Sequence, residues 1–159
     1  MTTATRIESI DYTIAMNVSS TWDQVKLKDK DYVDRLGELI FERLFQLNPR
    51  AAAIFDMEGV ENIKEHLSFK THAPVIVDMV DCVVQFLGPN LDSLEDFLKD
   101  LGQRHISYGA KPEDLSSMGR ATIYAVETIM GADFTTEDAE NWTRVFKYMT
   151  SIMADGMRL

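Results

Sequence analysis

The chain has 159 residues, of which 45% are hydrophobic, and its formal net charge at pH 7 is −10. This length suits a single domain with one substantial core, and the hydrophobic share is too high for a disordered tail. Because an acidic surface repels phosphate groups and the basic residues are scattered, the charge argues against a nucleic-acid or membrane partner.

Targeting and redox features favour a location in the cytoplasm. No stretch approaches the roughly 18 consecutive apolar residues of a membrane span. The N-terminal sequence MTTATRIESIDY lacks the charged start and apolar stretch of a secretory signal. The single cysteine, Cys82, excludes an internal disulfide and fits a reducing compartment. We therefore expect a cytoplasmic protein.

Apolar residues recur at helical spacing along nearly the whole chain, which predicts an all-α fold. In chain order, the predicted segments are helices over about 9–27 and 32–47, a short turn over 50–55, helices over about 69–87 and 92–108, a helix from 112, and a last helix from about 136 to 156. Pro112 suits the first turn of the sixth helix. Asp92 or Ser93 would begin the fifth helix, since each is followed three residues later by an acid, which is the spacing of a capping box.

Two of the three histidines lie on apolar faces of predicted helices. His105 closes a row of leucines at steps of four, three and four, which places it on their face of the helix. The leucines are Leu94, Leu98 and Leu101. His72 shares a face with Phe69, Ile76, Met79, Val80 and Val83. We therefore predict that both imidazoles point inward, whereas His66, in a polar stretch, is expected to be exposed.

Neutral imidazole is a common ligand of iron. Two histidines facing each other across an apolar slot would suit a flat metal macrocycle. The alternative is two core histidines that are each satisfied by a hydrogen bond. Spacing within the helices leaves both interpretations open.

Three longer segments resemble the globin family, and the resemblance covers roughly residues 19–156. LIFERLFQLNPRAAAIF (Leu39 to Phe55) resembles the globin B helix, C turn and start of the CD corner. FKTHAPVIVDMVDCVV (Phe69 to Val84) resembles helix E, and LEDFLKDLGQRHISYGAKPEDL (Leu94 to Leu115) resembles helix F running into helix G. The runs IFERLFQLNP and LGQRH are similar to those of neuroglobin-like members.

This resemblance implies a globin fold, a three-on-three helical sandwich with a short or absent D helix. Residues 1–18 would be an N-terminal extension or the start of helix A, and residues 19–159 would be the globin domain. Gly37 matches the helix-B glycine that lets helices B and E cross closely, with Ala73 as its small partner.

The resemblance also implies that His105 is the proximal ligand of one haem b. One ring nitrogen would bind the iron, and the other would donate to a backbone carbonyl near Leu101, which fixes the tautomer. The candidate haem contacts are Phe55, Leu101, Ala110, Leu115 and Met118.

On the distal side, the resemblance places Phe41, Ile76 and His72 around the gas. His72 would donate a hydrogen bond to dioxygen, bind the iron as a sixth ligand or swing out to solvent, and an exchange of roles with His66 is a further alternative. Pro74 has no N–H for the carbonyl four residues earlier and crowds it. Either the helix begins about three residues before Pro74 or it is kinked there, and we hypothesise that this looseness lets His72 reach the iron.

Three functions from different classes are compatible with this resemblance. The first is binding of dioxygen, nitric oxide or carbon monoxide for storage, delivery or sensing. The second is nitric oxide dioxygenase or other haem redox chemistry with an unknown reductase. Flavohaemoglobins and their single-domain relatives tend to place a tyrosine ten residues after the proximal histidine, where this chain has Leu115. The third is electron transfer by a six-coordinate haem. We expect gas binding by a monomer or weak homodimer.

Overall fold

A computed structural model describes residues 10–88 and 91–158, which form seven α-helices joined by short segments. The helices are α1 (Tyr12–Lys28), α2 (Tyr32–Leu47), α3 (Arg50–Ile54), α4 (Leu67–Phe86), α5 (Leu91–Ser107), α6 (Pro112–Met130) and α7 (Thr136–Met157). One-turn 3-10 helices cover Ile63–Glu65 and Gly131–Asp133. No strand occurs in the two described ranges, which confirms the predicted all-α class.

The helices pack as crossed layers around one main core. Helix α5 packs on α7, α2 packs on α6 and α4, and α1 lies across α4, α6 and α7. Helical spacing of apolar residues predicts one apolar face for α7, and all six of its members are buried: Trp142, Val145, Phe146, Met149, Ile152 and Met153. Within the described ranges, no helix combines the length and apolarity that crossing a membrane requires.

The starts of α1 and α5 differ in detail from the sequence expectation. The Asp11 side chain accepts a hydrogen bond from the Ile14 N–H at 2.8 Å, so α1 begins at Tyr12, and residues 1–9 lie outside the described residues. Helix α5 begins at Leu91, so Asp92 and Ser93 lie inside its first turn and do not start it. Residues 89 and 90 lie outside the described residues. The boundary between extension and domain at residue 19 falls within α1 and stays a prediction.

Helix α4 begins two residues before its predicted start because His66 caps it. The His66 Nδ1 accepts a hydrogen bond from the Ser68 N–H at 3.2 Å. His66 is therefore half-buried and not exposed as predicted. Since α4 begins at Leu67, the alternative in which Pro74 sits in the first turn is wrong. Pro74 lies inside the helix, where it leaves the Lys70 carbonyl without its helical N–H donor.

Two backbone crossings place the helices that carry the candidate histidines. A Cβ on Gly37 would lie 2.7 Å from the Cβ of Ala73, which confirms the predicted close approach of α2 and α4. A Cβ on Gly102 would lie 2.8 Å from the carbonyl carbon of Met153, and one on Gly156 would lie 2.9 Å from that of Lys99. Backbone thus meets backbone where α5 crosses α7, three residues before His105.

Candidate functional site

A cluster of phenylalanines forms where α2, the end of α3 and α4 meet. Phe41 is fully buried at its centre. Its ring makes edge contacts with three others at centroid distances of 4.9 to 5.7 Å, namely those of Phe45, Phe55 and Phe69. Such edge-to-face pairs stabilise a defined arrangement of rings. The cluster therefore gives the site one rigid apolar wall.

His72 lies beside this cluster. Its imidazole makes an edge contact with the Phe55 ring at a centroid distance of 5.4 Å. Ile76, one turn along α4, is partly buried against the cluster around Phe41. The structure thus brings together the residues predicted for the distal side.

The prediction that His72 points into the core is wrong, because its side chain is exposed. The buried face of α4 consists of Phe69, Ala73, Val77, Val80, Val83 and Val84. Since the close approach to α2 occurs at Ala73, that residue faces the core, and His72 is turned to the flank of the helix. The exposed imidazole lies next to Phe55 and outside the buried face of α4.

His105 is half-buried near the end of α5, after the buried Leu94 and Leu98. Its Nδ1 lies 2.7 Å from the Leu101 carbonyl oxygen, which confirms the predicted contact one turn earlier. Because a carbonyl only accepts, Nδ1 carries the proton and donates, and Nε2 keeps its lone pair. The Tyr108 ring packs on the imidazole at a centroid distance of 5.4 Å. The local backbone thus prepares Nε2 as a metal ligand.

The other candidate contacts lie in the main core or at its edge. Leu115 is buried, and Leu101 and Met118 are partly buried against the same core. Phe55 and Ile76 pack against both this core and the phenylalanine cluster, so they join the two apolar regions. Ala110 lies in the corner between α5 and α6.

This corner is held by a polar network that the sequence analysis missed. Asp114 accepts hydrogen bonds from Asn48 Nδ2 at 2.9 Å and from the Lys111 N–H at 2.7 Å, and it forms an ion pair with Arg50. Burial alone would raise the pKa of Asp114, but these hydrogen bonds and the positive charge of Arg50 hold that pKa below its ordinary value. Since 64 residues separate Arg50 and Asp114, no local spacing could have indicated the pairing.

The chemistry of the donor set separates a macrocycle from a bare ion. Within residues 10–88 and 91–158, no group of three or more His, Cys, Asp or Glu side chains could hold a metal ion. The candidate donors are single imidazoles: His72 lies beside the Phe55 ring, and His105 has its Nδ1 on the Leu101 carbonyl oxygen. This arrangement fits a metal that brings its own equatorial ligands.

Known proteins are similar to this chain in sequence. A family model described as Globin matches residues 38–153. Neuroglobin from Tetraodon nigroviridis is 26% identical over 149 residues, which cover 84% of this chain and 93% of that protein. Neuroglobin from Danio rerio is 28% identical over 124 residues, which cover 76% of this chain and 77% of that protein.

Among solved structures, a hexacoordinated heme protein from an anhydrobiotic tardigrade is similar with a TM-score of 0.81. The alignment has 18% sequence identity and covers 93% of this chain and 95% of that one. This similarity confirms the predicted globin fold, in which the D helix is reduced to the turn over Ile63–Glu65. Because the family model spans most of the sequence, the chain belongs to the globin family.

Proposed function

We propose that this protein holds one haem b through His105 and binds dioxygen or another small gas on the side of His72. Membership of the globin family supports haem and gas binding in general. The observation that carries the proposal is the 2.7 Å contact between His105 Nδ1 and the Leu101 carbonyl oxygen. It orients the ring and leaves Nε2 as an unprotonated donor for iron.

The residues around the two histidines fit a haem. Apolar side chains would contact its faces, and they include the predicted contacts Phe55, Ile76, Leu101, Leu115 and Met118. When bound, haem would supply an iron that His105 would hold and that would take up an exchangeable gas. The chain's own contribution is to orient His105, to limit access of water with the phenylalanine cluster, and to offer His72 as a polar group.

We further propose that His72 binds the iron as a sixth ligand when no gas is present. Its side chain is exposed beside the Phe55 ring, so packing in the core does not fix the imidazole. Pro74 removes a helical hydrogen bond from the segment beneath it, which supports the hypothesis of a loosened helix. The structurally similar tardigrade protein is a hexacoordinated heme protein.

We propose gas binding ahead of nitric oxide dioxygenase chemistry because of the side chain of Leu115. Leu115 is buried in the apolar core ten residues after His105 and has no hydroxyl group. It therefore cannot support a proximal hydrogen-bond network of the kind that a tyrosine would provide.

We propose a cytoplasmic monomer or weak homodimer, re-reduced by a partner reductase.

The test is the visible spectrum of haem-loaded protein, reduced under anaerobic conditions before any gas is added. Two sharp bands would support an internal sixth ligand, and their replacement by one broad band in His72→Leu would identify that ligand as His72. One broad band in the wild type would refute six-coordination but leave gas binding intact. Failure to take up haem would refute the proposed function.

A second experiment tests His105 itself. We expect His105→Gly to lose haem and to recover it when free imidazole is added, because imidazole can occupy the space of the deleted ring. The matched control is His66→Asn, which removes a histidine outside the site and keeps a side chain that caps helices well. Haem retention by His105→Gly without imidazole would contradict the assignment.

A further inference from the structure

One arginine joins the two walls of the candidate haem site. One wall carries Phe55 and His72, and the other carries His105. Arg50 begins α3, whose last residue precedes Phe55, the side chain that packs on His72. Its Nη1 pairs with Asp114, and its Nη2 donates to the Gly109 carbonyl oxygen at 2.9 Å. The planar guanidinium can make both contacts at once because its donors form a rigid fork.

The corner that Arg50 holds follows directly after His105. The His105 carbonyl accepts hydrogen bonds from the N–H groups of Tyr108 at 3.1 Å and Ala110 at 3.2 Å. Residues 107–109 and 111 are exposed, so little apolar burial fixes this segment. A polar contact to its backbone therefore has an unusually large influence on where the end of α5 lies.

The Asp114 end of the bridge is firmly placed. Its side chain is only 13% exposed, against 44% for Arg50. Asn48 fixes one carboxylate oxygen from the end of α2, and the Lys111 N–H fixes the other at the start of α6. The carboxylate stays charged at neutral pH because these contacts keep its pKa below the ordinary value despite burial.

We propose that Arg50 is a positioning residue, which sets the placement of the His105 wall relative to the Phe55 and His72 wall by bridging Asp114 and Gly109. This inference rests on the proposed function, since the walls matter only if a haem lies between them. The competing explanation is an ordinary surface ion pair that contributes to stability alone.

The first test needs no haem. In Arg50→Gln, the Gly109 carbonyl loses its donor while the contacts of Asp114 to Asn48 and Lys111 remain. We expect the amides of residues 108–110 to exchange with solvent about tenfold faster, with the centre of α7 unchanged. The control is Arg158→Gln, which removes an exposed ion pair with Asp155 near the end of α7.

The second test uses the haem-loaded protein. We expect Arg50→Gln to change the rate of carbon monoxide binding to the ferrous form by about threefold or more, and Arg158→Gln to leave it unchanged. Arg50→Lys keeps the charge but cannot make both contacts, so we expect an intermediate rate. An effect seen in the Arg50 variants and absent from Arg158→Gln would not arise from the loss of an exposed ion pair alone.

Three outcomes would overturn the inference. Exchange that accelerates equally in all helices would show a purely structural role. Faster exchange at the corner with an unchanged carbon monoxide rate would show that the corner does not position the site. A wild-type chain that takes up no haem would overturn the proposed function as well, whereas the first two outcomes leave that function standing.

Discussion

The backbone crossing of α5 and α7 predicts how this globin holds α5, the helix that carries His105. In Gly102→Ala, the new methyl group would lie 2.8 Å from the carbonyl carbon and 2.9 Å from the Cα of Met153, and closer still to its carbonyl oxygen. An ordinary contact begins at 3.4 Å, so contact with the carbonyl carbon would by itself require a movement of about 0.6 Å. Because the obstacle is backbone, no rotation of a side chain can relieve it.

The energetic cost follows from two opposing effects. Overpacking of a rigid site costs about 3 kcal/mol at the upper end of its usual range. Alanine offsets about 1 kcal/mol of this through its better helix propensity. We therefore expect Gly102→Ala to lower the free energy of unfolding by about 2 kcal/mol, which lowers Tm by about 4 to 8 °C for a chain of this size.

The matched control is Gly119→Ala in α6. There the added Cβ would lie 3.1 Å from a ring carbon of Phe146, a side chain that can move. We expect a change within about 1 kcal/mol, with the propensity gain offsetting the contact. Thermal unfolding followed by circular dichroism measures both variants. Equal stability of the two would refute the argument that backbone contact fixes α5.

Three further predictions concern helix α4 and two titrating groups. Pro74→Ala restores a helical N–H and should reduce the proposed six-coordination by His72, as seen in the ferrous spectrum. An unchanged spectrum and unchanged gas kinetics would contradict the loosened-helix hypothesis. Burial and the nearby Glu95 carboxylate raise the pKa of Tyr148 to about 12, so an ultraviolet titration should lose one phenol near that pH in Tyr148→Phe. The contribution of this neutral phenol to the free energy of unfolding is present below about pH 10 and is lost as the pH rises towards 12. If Tyr148 titrated near pH 10, that result would be inconsistent with its burial. Burial alone would raise the pKa of Asp81, but hydrogen bonds and the positive charge of Lys26 outweigh burial and hold that pKa below its ordinary value. The difference in free energy of unfolding between wild type and Asp81→Asn should therefore be full near pH 7 and shrink below about pH 4. A difference independent of pH would count against a charged Asp81.

Local patterns in the sequence were sufficient to predict the helices and several contacts between residues that are close in the chain. The apolar face of α7 and the proline at the start of α6 appear in the structure where their spacing placed them. The contact of His105 with Leu101 was expected from the resemblance to globins, and it joins residues four apart, which meet on a helix. These features depend on neighbours within a few residues, and the spacing of residues along the chain determines them.

Other features required the tertiary structure, because they depend on how helices meet. His72 was expected to point inward with its apolar neighbours, yet the approach of α2 at Ala73 turns it to the flank of α4. The bridge from Arg50 to Asp114 joins residues far apart in the chain. Periodicity shows which face of a helix is apolar, but only the packing of neighbouring helices decides which part of that face becomes core and which part borders a site.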